Sequence, residues 1–191
     1  MIWNLWASAL QFSWVAESGH NVWVKDVDII HYESPPAAEG AAIWMIHGGS
    51  RALNNFHFEN IVVESFGSKS CKSFLALEIK GSSYAKGLYG SLKDVWFKNI
   101  QVLEPTINYQ MTGMDASHTI SNIHFDNLSI KGQCITQASA ANLTFNSFAN
   151  NVTFNCNLTQ LRKPALKSAA IPICLFNNFS SEFFLWKGIA P

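Results

Sequence analysis

Apolar residues in this chain fall at alternate positions on both sides of a fixed polar residue, and that arrangement returns four times. It is seen in Asn21-Val-Trp-Val-Lys-Asp-Val-Asp-Ile29 and Asn55-Phe-His-Phe-Glu-Asn-Ile-Val-Val63, then in Asp94-Val-Trp-Phe-Lys-Asn-Ile-Gln-Val102 and Asn122-Ile-His-Phe-Asp-Asn-Leu-Ser-Ile130. Alternation with a period of two marks strands that send every second side chain to the same side. The middle residue, Asp26, Asn60, Asn99 or Asn127, interrupts it. Asn and Asp tolerate the left-handed conformation of a bend better than other non-glycine residues. Each unit therefore predicts two short strands joined at a bend. Val22, Val24, Phe56, Phe58, Val95, Phe97, Ile123 and Phe125 are its inward positions. The units start at positions 21, 55, 94 and 122, so a constant motif is separated by spacers of unequal length. Such a pattern belongs to repeat architectures whose layers differ only in their loops.

Further strands lie between the units. Leu10, Phe12 and Trp14 alternate with Gln11, Ser13 and Val15. Residues 41–47 form an apolar run closed by Gly48 and Gly49. Leu75, Leu77 and Ile79 alternate with Ala76, Glu78 and Lys80. Loops rich in Pro and Gly follow, His31 to Gly40 and Gly81 to Gly90 among them. One strand, a loop and a bent pair make three strands per turn. Like strands of successive turns then stack in parallel ~4.8 Å apart, with bend residues such as Asn99 and Asn127 bonding one another. The predicted fold is all-β, a right-handed parallel β-helix over residues 1–154, with 142–154 as a last, degenerate turn. Residues 155–191 lose the repeat and read as a C-terminal cap or an irregular tail. The first turn begins in mid-strand without a cap, so the expectation is a β-helix lacking its N-terminal part.

Composition narrows the function classes. The chain has 191 residues, 48% hydrophobic and 14% charged, with a formal net charge of zero. That is enough for one domain with a sizeable core, and it is neither disordered nor basic enough to track nucleic acid. No apolar run is long enough to span a membrane, and Met1-Ile-Trp-Asn-Leu-Trp6 lacks the basic start of a signal peptide. Cys71, Cys134, Cys156 and Cys174 have no metal-ligand spacing, so isolated buried thiols are the expectation. Asn127, Asn142, Asn151, Asn157 and Asn178 each open an Asn-x-Ser/Thr sequon, of which Asn127 is a poor acceptor if it turns a bend.

The repeated units, with Thr112-Gly-Met-Asp-Ala-Ser-His-Thr-Ile120 leading into the fourth, resemble the last turns of β-helix glycoside hydrolases. The polygalacturonase-like group is nearest. Trp3-Asn-Leu-Trp-Ala-Ser-Ala-Leu-Gln-Phe-Ser-Trp14 followed by Asn21 to His31 resembles the dextranase-like turn after the catalytic one. The resemblance covers residues 3–154. It implies a polysaccharide or oligosaccharide partner, no cofactor, a monomer and a secreted or extracellular parent protein. The polygalacturonase-like motifs are Asn-Thr-Asp, Asp-Asp, Gly-His-Gly and Arg-Ile-Lys. The first two are missing, so the dextranase-like resemblance implies catalytic aspartates upstream of Met1. His47-Gly-Gly matches the third in part, and Glu78-Ile-Lys80 matches the fourth with its arginine replaced. The resemblance thus implies sugar or uronate contacts for His47 and Lys80.

Glycosidic hydrolysis by inversion needs two carboxyl groups ~6.5–9.5 Å apart. Glu17 and Glu78 are the candidate pair, two turns apart on the strand type that also carries Gln11, His47 and Lys80. The alternative for both is a solvated strand end. Trp14, Trp44 and Tyr84 are candidates for stacking on sugar rings, with core packing the alternative for the two tryptophans. His31 and Glu33 fall in a predicted loop beside the cleft, as an acid/base pair or a solvated pair. His20, His57, His118 and His124 read as surface residues. A non-catalytic carbohydrate-binding or adhesive module and a polysaccharide lyase remain as alternatives to the hydrolase.

Overall fold

The computed structural model describes residues 1–4, 8–12, 18–33, 40–67, 73–81, 89–106 and 109–157. Apart from a 3₁₀ helix at Ala138–Ala141, its elements are strands: β1 (Ile2–Asn4), β2 (Leu10–Phe12), β3 (Gly19–Tyr32), β4 (Ile43–His47), β5 (Leu53–Val63), β6 (Leu75–Ile79), β7 (Leu92–Val102), β8 (Tyr109–Thr112), β9 (Ile120–Ile130), β10 (Gln133–Cys134), β11 (Leu143–Phe145) and β12 (Ala149–Asn155). They form two sheets. One runs β1-β3-β5-β7-β9-β10, with β12 also on β9, and the other runs β11-β8-β6-β4-β2. Up to β9, successive strands alternate between the sheets, and each pairs in parallel with its counterpart one repeat away. The expected all-β class, with parallel pairing of the repeats, is what forms. The 142–154 segment supplies one more strand to each sheet.

The long strands bend twice, once more than the sequence pattern predicts. The middle residues Asp26, Asn60, Asn99 and Asn127 have positive φ, and so do the opening residues Asn21, Asn55, Asp94 and Asn122. The second set carries the same residue class for the same reason. Each left-handed residue shifts the alternation by one position. In β5, Leu53, Phe56, Phe58, Ile61 and Val63 are all buried, although an unbroken strand would turn Phe56 and Phe58 to the opposite side from the other three. The side chains of the bends then bond from repeat to repeat. Asn60 Nδ2 donates to Asp26 Oδ1, Asn99 to Asn60 and Asn127 to Asn99, each at 3.0 Å. In the opening column Asn122 donates to Asp94 at 2.8 Å and Asn151 to Asn122 at 2.6 Å.

Inside, the inward positions pile into columns. Phe58, Phe97, Phe125 and Phe154 stack at centroid separations of 5.0, 5.0 and 4.8 Å. Ile43, Met45, Leu75, Leu77 and Met111 of the second sheet join the same core. Phe56, Phe58, Val95, Phe97, Ile123 and Phe125 are buried as expected. Val22 and Val24 are half-buried, because β1 pairs only with the far end of β3.

The cysteine expectation is corrected: Cys134 and Cys156 form a disulfide with Cα atoms 5.9 Å apart. The turn at Lys131 and Gly132, both at positive φ, sends β10 back antiparallel along the end of β9, while β12 runs parallel along its start. Both cysteines thus reach the same strand from opposite directions, which spacing alone does not reveal. Cys71, Cys174 and the tail from residue 158 lie outside the described residues.

Candidate functional site

The outer face of the second sheet gathers several of the candidate residues. Inward packing of Leu75, Leu77 and Ile79 leaves Ala76, Glu78 and Lys80 on the other side of β6, as the alternation predicts. Strand register aligns Gln11, Trp44, Ala76 and Gln110 in one row and Ile46, Glu78 and Thr112 in the next. The middle of this face is buried, Trp44, Ile46, Ala76 and Glu78 each being 6% exposed or less, while Gln11, Gln110 and Thr112 are exposed.

Glu78 is the polar centre. Its Oε1 accepts a hydrogen bond from Gln110 Nε2, and its Oε2 is buried with no hydrogen-bond partner among the described residues. Glu78, Ile79, Lys80, Gln110 and Thr112 line a cavity of about 250 Å³. A buried acceptor left unsatisfied costs about 1–3 kcal/mol, a penalty that a ligand hydroxyl or ammonium removes. The Gln110 carboxamide oxygen, the Thr112 hydroxyl and the Lys80 ammonium are further groups suited to hydroxyls or a carboxylate. Glu78 is the single carboxyl lining this cavity among the described residues.

His47 does not share that face. It pairs with Ile79 in register rather than with Glu78, it is fully buried, and its Nε2–H donates to the Arg51 carbonyl. The strand parity that sets Ile46 outward turns His47 inward, so its placement beside Glu78 and Lys80 on one strand face is corrected. Burial pushes the imidazole below its ordinary value of 6.5, opposed by the Arg51 hydrogen bond. The unfolded chain therefore takes up a proton that the folded site refuses, so this contribution to stability is full above about pH 6.5 and is lost as pH falls below it. Glu59, held below its ordinary 4.5 chiefly by the hydrogen bond from Lys25, gives the same sign at lower pH. Thermal midpoints measured between pH 7 and 5 should fall, and His47→Gln should flatten that slope. Parallel curves for the two proteins would count against this account.

The remaining candidates separate. Gln11 is exposed on β2, on the same outer face as Glu78 and two strands away. Glu17, Trp14 and Tyr84 lie outside the described residues. His31 is not in a loop, because β3 continues to Tyr32, and it belongs to the other sheet. Its ring stacks on Trp3 at 4.8 Å, and its Nε2 is 3.5 Å from the Glu33 carboxylate. The Ser65 hydroxyl donates to the Ile30 carbonyl at 2.9 Å, so His31 Nδ1–H donates to the Ser65 oxygen at 3.0 Å. That direction leaves Ser65 unactivated as a nucleophile and makes the cluster a clamp on the strand end. A Cβ on Gly67 would meet the Glu33 carboxylate at 2.5 Å and His31 Nε2 at 2.6 Å, so a larger residue there would displace these side-chain ends.

On the first sheet His57 and His124 interleave with tryptophans. Trp23, His57, Trp96 and His124 stack at 4.2, 4.6 and 5.4 Å, with Trp23 51% exposed. Asp115, in the segment that leads to the fourth unit, closes a turn by accepting from Ser117 N, His118 N and His118 Nδ1. Gln110 and Thr112 escape sequence reasoning. Their alternation is visible, but their alignment with Glu78 depends on a loop length that no repeat fixes. Among the described residues no three His, Cys, Asp or Glu side chains converge as metal donors, and no helix is long and apolar enough to cross a membrane. Comparison with protein-family models, with curated proteins and with solved structures finds no match to this chain.

Proposed function

We propose that the two sheets close into a right-handed parallel β-helix with three strands per turn, and that the outer face of the second sheet binds polysaccharide as part of a glycoside hydrolase of the polygalacturonase-like or dextranase-like kind. Three strands per turn follow if each long strand counts as two legs around its middle bend. Right-handedness follows the near-universal hand of crossovers between parallel strands. The observation that carries the functional reading is the buried Glu78 carboxyl group, with Oε2 unpartnered among the described residues, in a cavity edged by Gln110, Thr112 and Lys80. Sugar hydroxyls supply the missing donor, and Lys80 favours a uronate as a point charge. The disulfide fits a parent protein that acts outside the cell.

Hydrolysis requires a second carboxyl across the scissile bond. With Glu78 as the single described carboxyl in the cavity, this chain by itself binds polysaccharide and turns it over poorly. The same observation favours, as a second reading, a non-catalytic carbohydrate-binding module of the same fold. Affinity electrophoresis in gels containing polygalacturonate or dextran, paired with a reducing-end assay, tests the proposal. Retardation by one of the two polymers, lost in Glu78→Ala and Gln110→Ala and accompanied by little sugar release, is the expected result. Absence of retardation would end the carbohydrate reading. Robust turnover abolished by Glu17→Gln or Glu78→Gln would make those residues the acids and overturn the binding-only view of this chain.

A further inference from the structure

The sequons are not equivalent once folded. Asn127 is 5% exposed, Ser129 of its sequon 3%, and the Asn127 amide donates to Asn99. Asn151 spends its amide on Asn122, and Thr153 of its sequon is bonded to His124 Nδ1 at 2.9 Å. Asn142 differs. It is exposed at a left-handed φ of 53°, capping the 3₁₀ helix, and the hydrogen bond from its amide to the Thr106 carbonyl is long at 3.5 Å. Leu143 turns into the core, so Asn142 and Thr144 are both exposed on either side of it. A second, independent observation points to the same chemistry. The Cys134–Cys156 disulfide encloses Asn142, and disulfides form in the oxidising compartment where oligosaccharide is transferred to asparagine.

We infer that Asn142 is an N-glycosylation site and that its glycan guards the outer edge of β11. In the transfer step Asn142 Nδ2 attacks the anomeric carbon of an oligosaccharide carried on a lipid pyrophosphate. The C–N bond forms, the anomeric C–O bond breaks, the nitrogen loses one proton and the lipid pyrophosphate leaves. Asn142 immediately precedes β11, the last strand of its sheet, whose outer edge has no partner strand among the described residues. An unpaired edge recruits other strands, and a glycan rooted just before its first residue blocks that approach.

The test is to express the full chain behind a cleavable secretion leader in a eukaryotic host and release glycans enzymatically in heavy-oxygen water. Peptide mapping then reads where asparagine has become labelled aspartate. The expected result is label at Asn142 and none at Asn127. Thr144→Ala should remove the label and the gel-mobility shift on deglycosylation due to that site, Thr144→Ser should keep both, and light scattering should show more association for Thr144→Ala than for Thr144→Ser. An unlabelled Asn142, or a label at Asn127 in folded protein, overturns the site. Label at Asn142 with equal scattering for the two variants overturns the guarding role.

Discussion

Replacing Phe97 by alanine is expected to lower folding stability by about 3–5 kcal/mol. Phe97 is 0% exposed, and its ring lies between those of Phe58 and Phe125, each 5.0 Å away. The loss includes transfer of the ring and two stacked contacts worth roughly 0.5–1.5 kcal/mol each. Little of it can be recovered by collapse. Phe58 and Phe125 sit on strands paired residue by residue with β7, so closing the gap would require shifting two ladders. Urea denaturation followed by circular dichroism measures the change, and Phe97→Leu should recover a large part of it. A loss well below about 1 kcal/mol for the alanine variant would contradict the buried column.

The second large effect is expected at a glycine. A Cβ on Gly90 would fall inside contact distance of the Arg51 carbonyl and would also meet His47 Nε2. The first neighbour is backbone and cannot swing away, and the second is the ring that bonds that same carbonyl. Gly90→Ala is therefore expected to destabilise by on the order of 3 kcal/mol through overpacking. Gly132→Ala is the matched control. Gly132 has φ of +73° and nothing within 4 Å of where a methyl group would sit, so only the left-handed strain of about 1–2 kcal/mol applies. Equal midpoints for the two variants in the same denaturation assay would show that the approach of Arg51 to Gly90 is not a tight one.

The repeat is readable because its physics is local. Alternation sets which side chains point inward, and Asp26, Asn60, Asn99 and Asn127 announce their bends by residue type. The opening bends at Asn21, Asn55, Asp94 and Asn122 carry the same residue signal, but they sit at the edge of the alternating stretch, where a lost period reads as a strand end. His31 reads as a loop residue because Ser34, Pro35 and Pro36 follow so closely, whereas pairing with Trp3 extends the strand through it. His47 defeats the pattern differently. In the wholly buried strand β4 both faces are apolar, so parity is not visible without the register to β6. For the candidate site, Glu78 and Lys80 can be placed on one face from β6 alone. Their companions Gln110 and Thr112 arrive from the next repeat across a loop of unconstrained length, and the disulfide depends on three strands meeting.

The bend residues give the stack a direction. In the middle column every amide nitrogen points back toward the preceding repeat and every amide oxygen faces the following one, ending with the backbone N–H of Asn157 on Asn127. Asp26, which has no amide nitrogen, opens this relay as a pure acceptor. Each interior layer thus presents the same donor to one neighbour and the same acceptor to the other, whatever its own loops contain. Layers of this kind are interchangeable parts. Whole units can be gained, lost or exchanged between sequences without rewriting the joints. A single residue added between the two bends of one strand would set every later side chain on the wrong side.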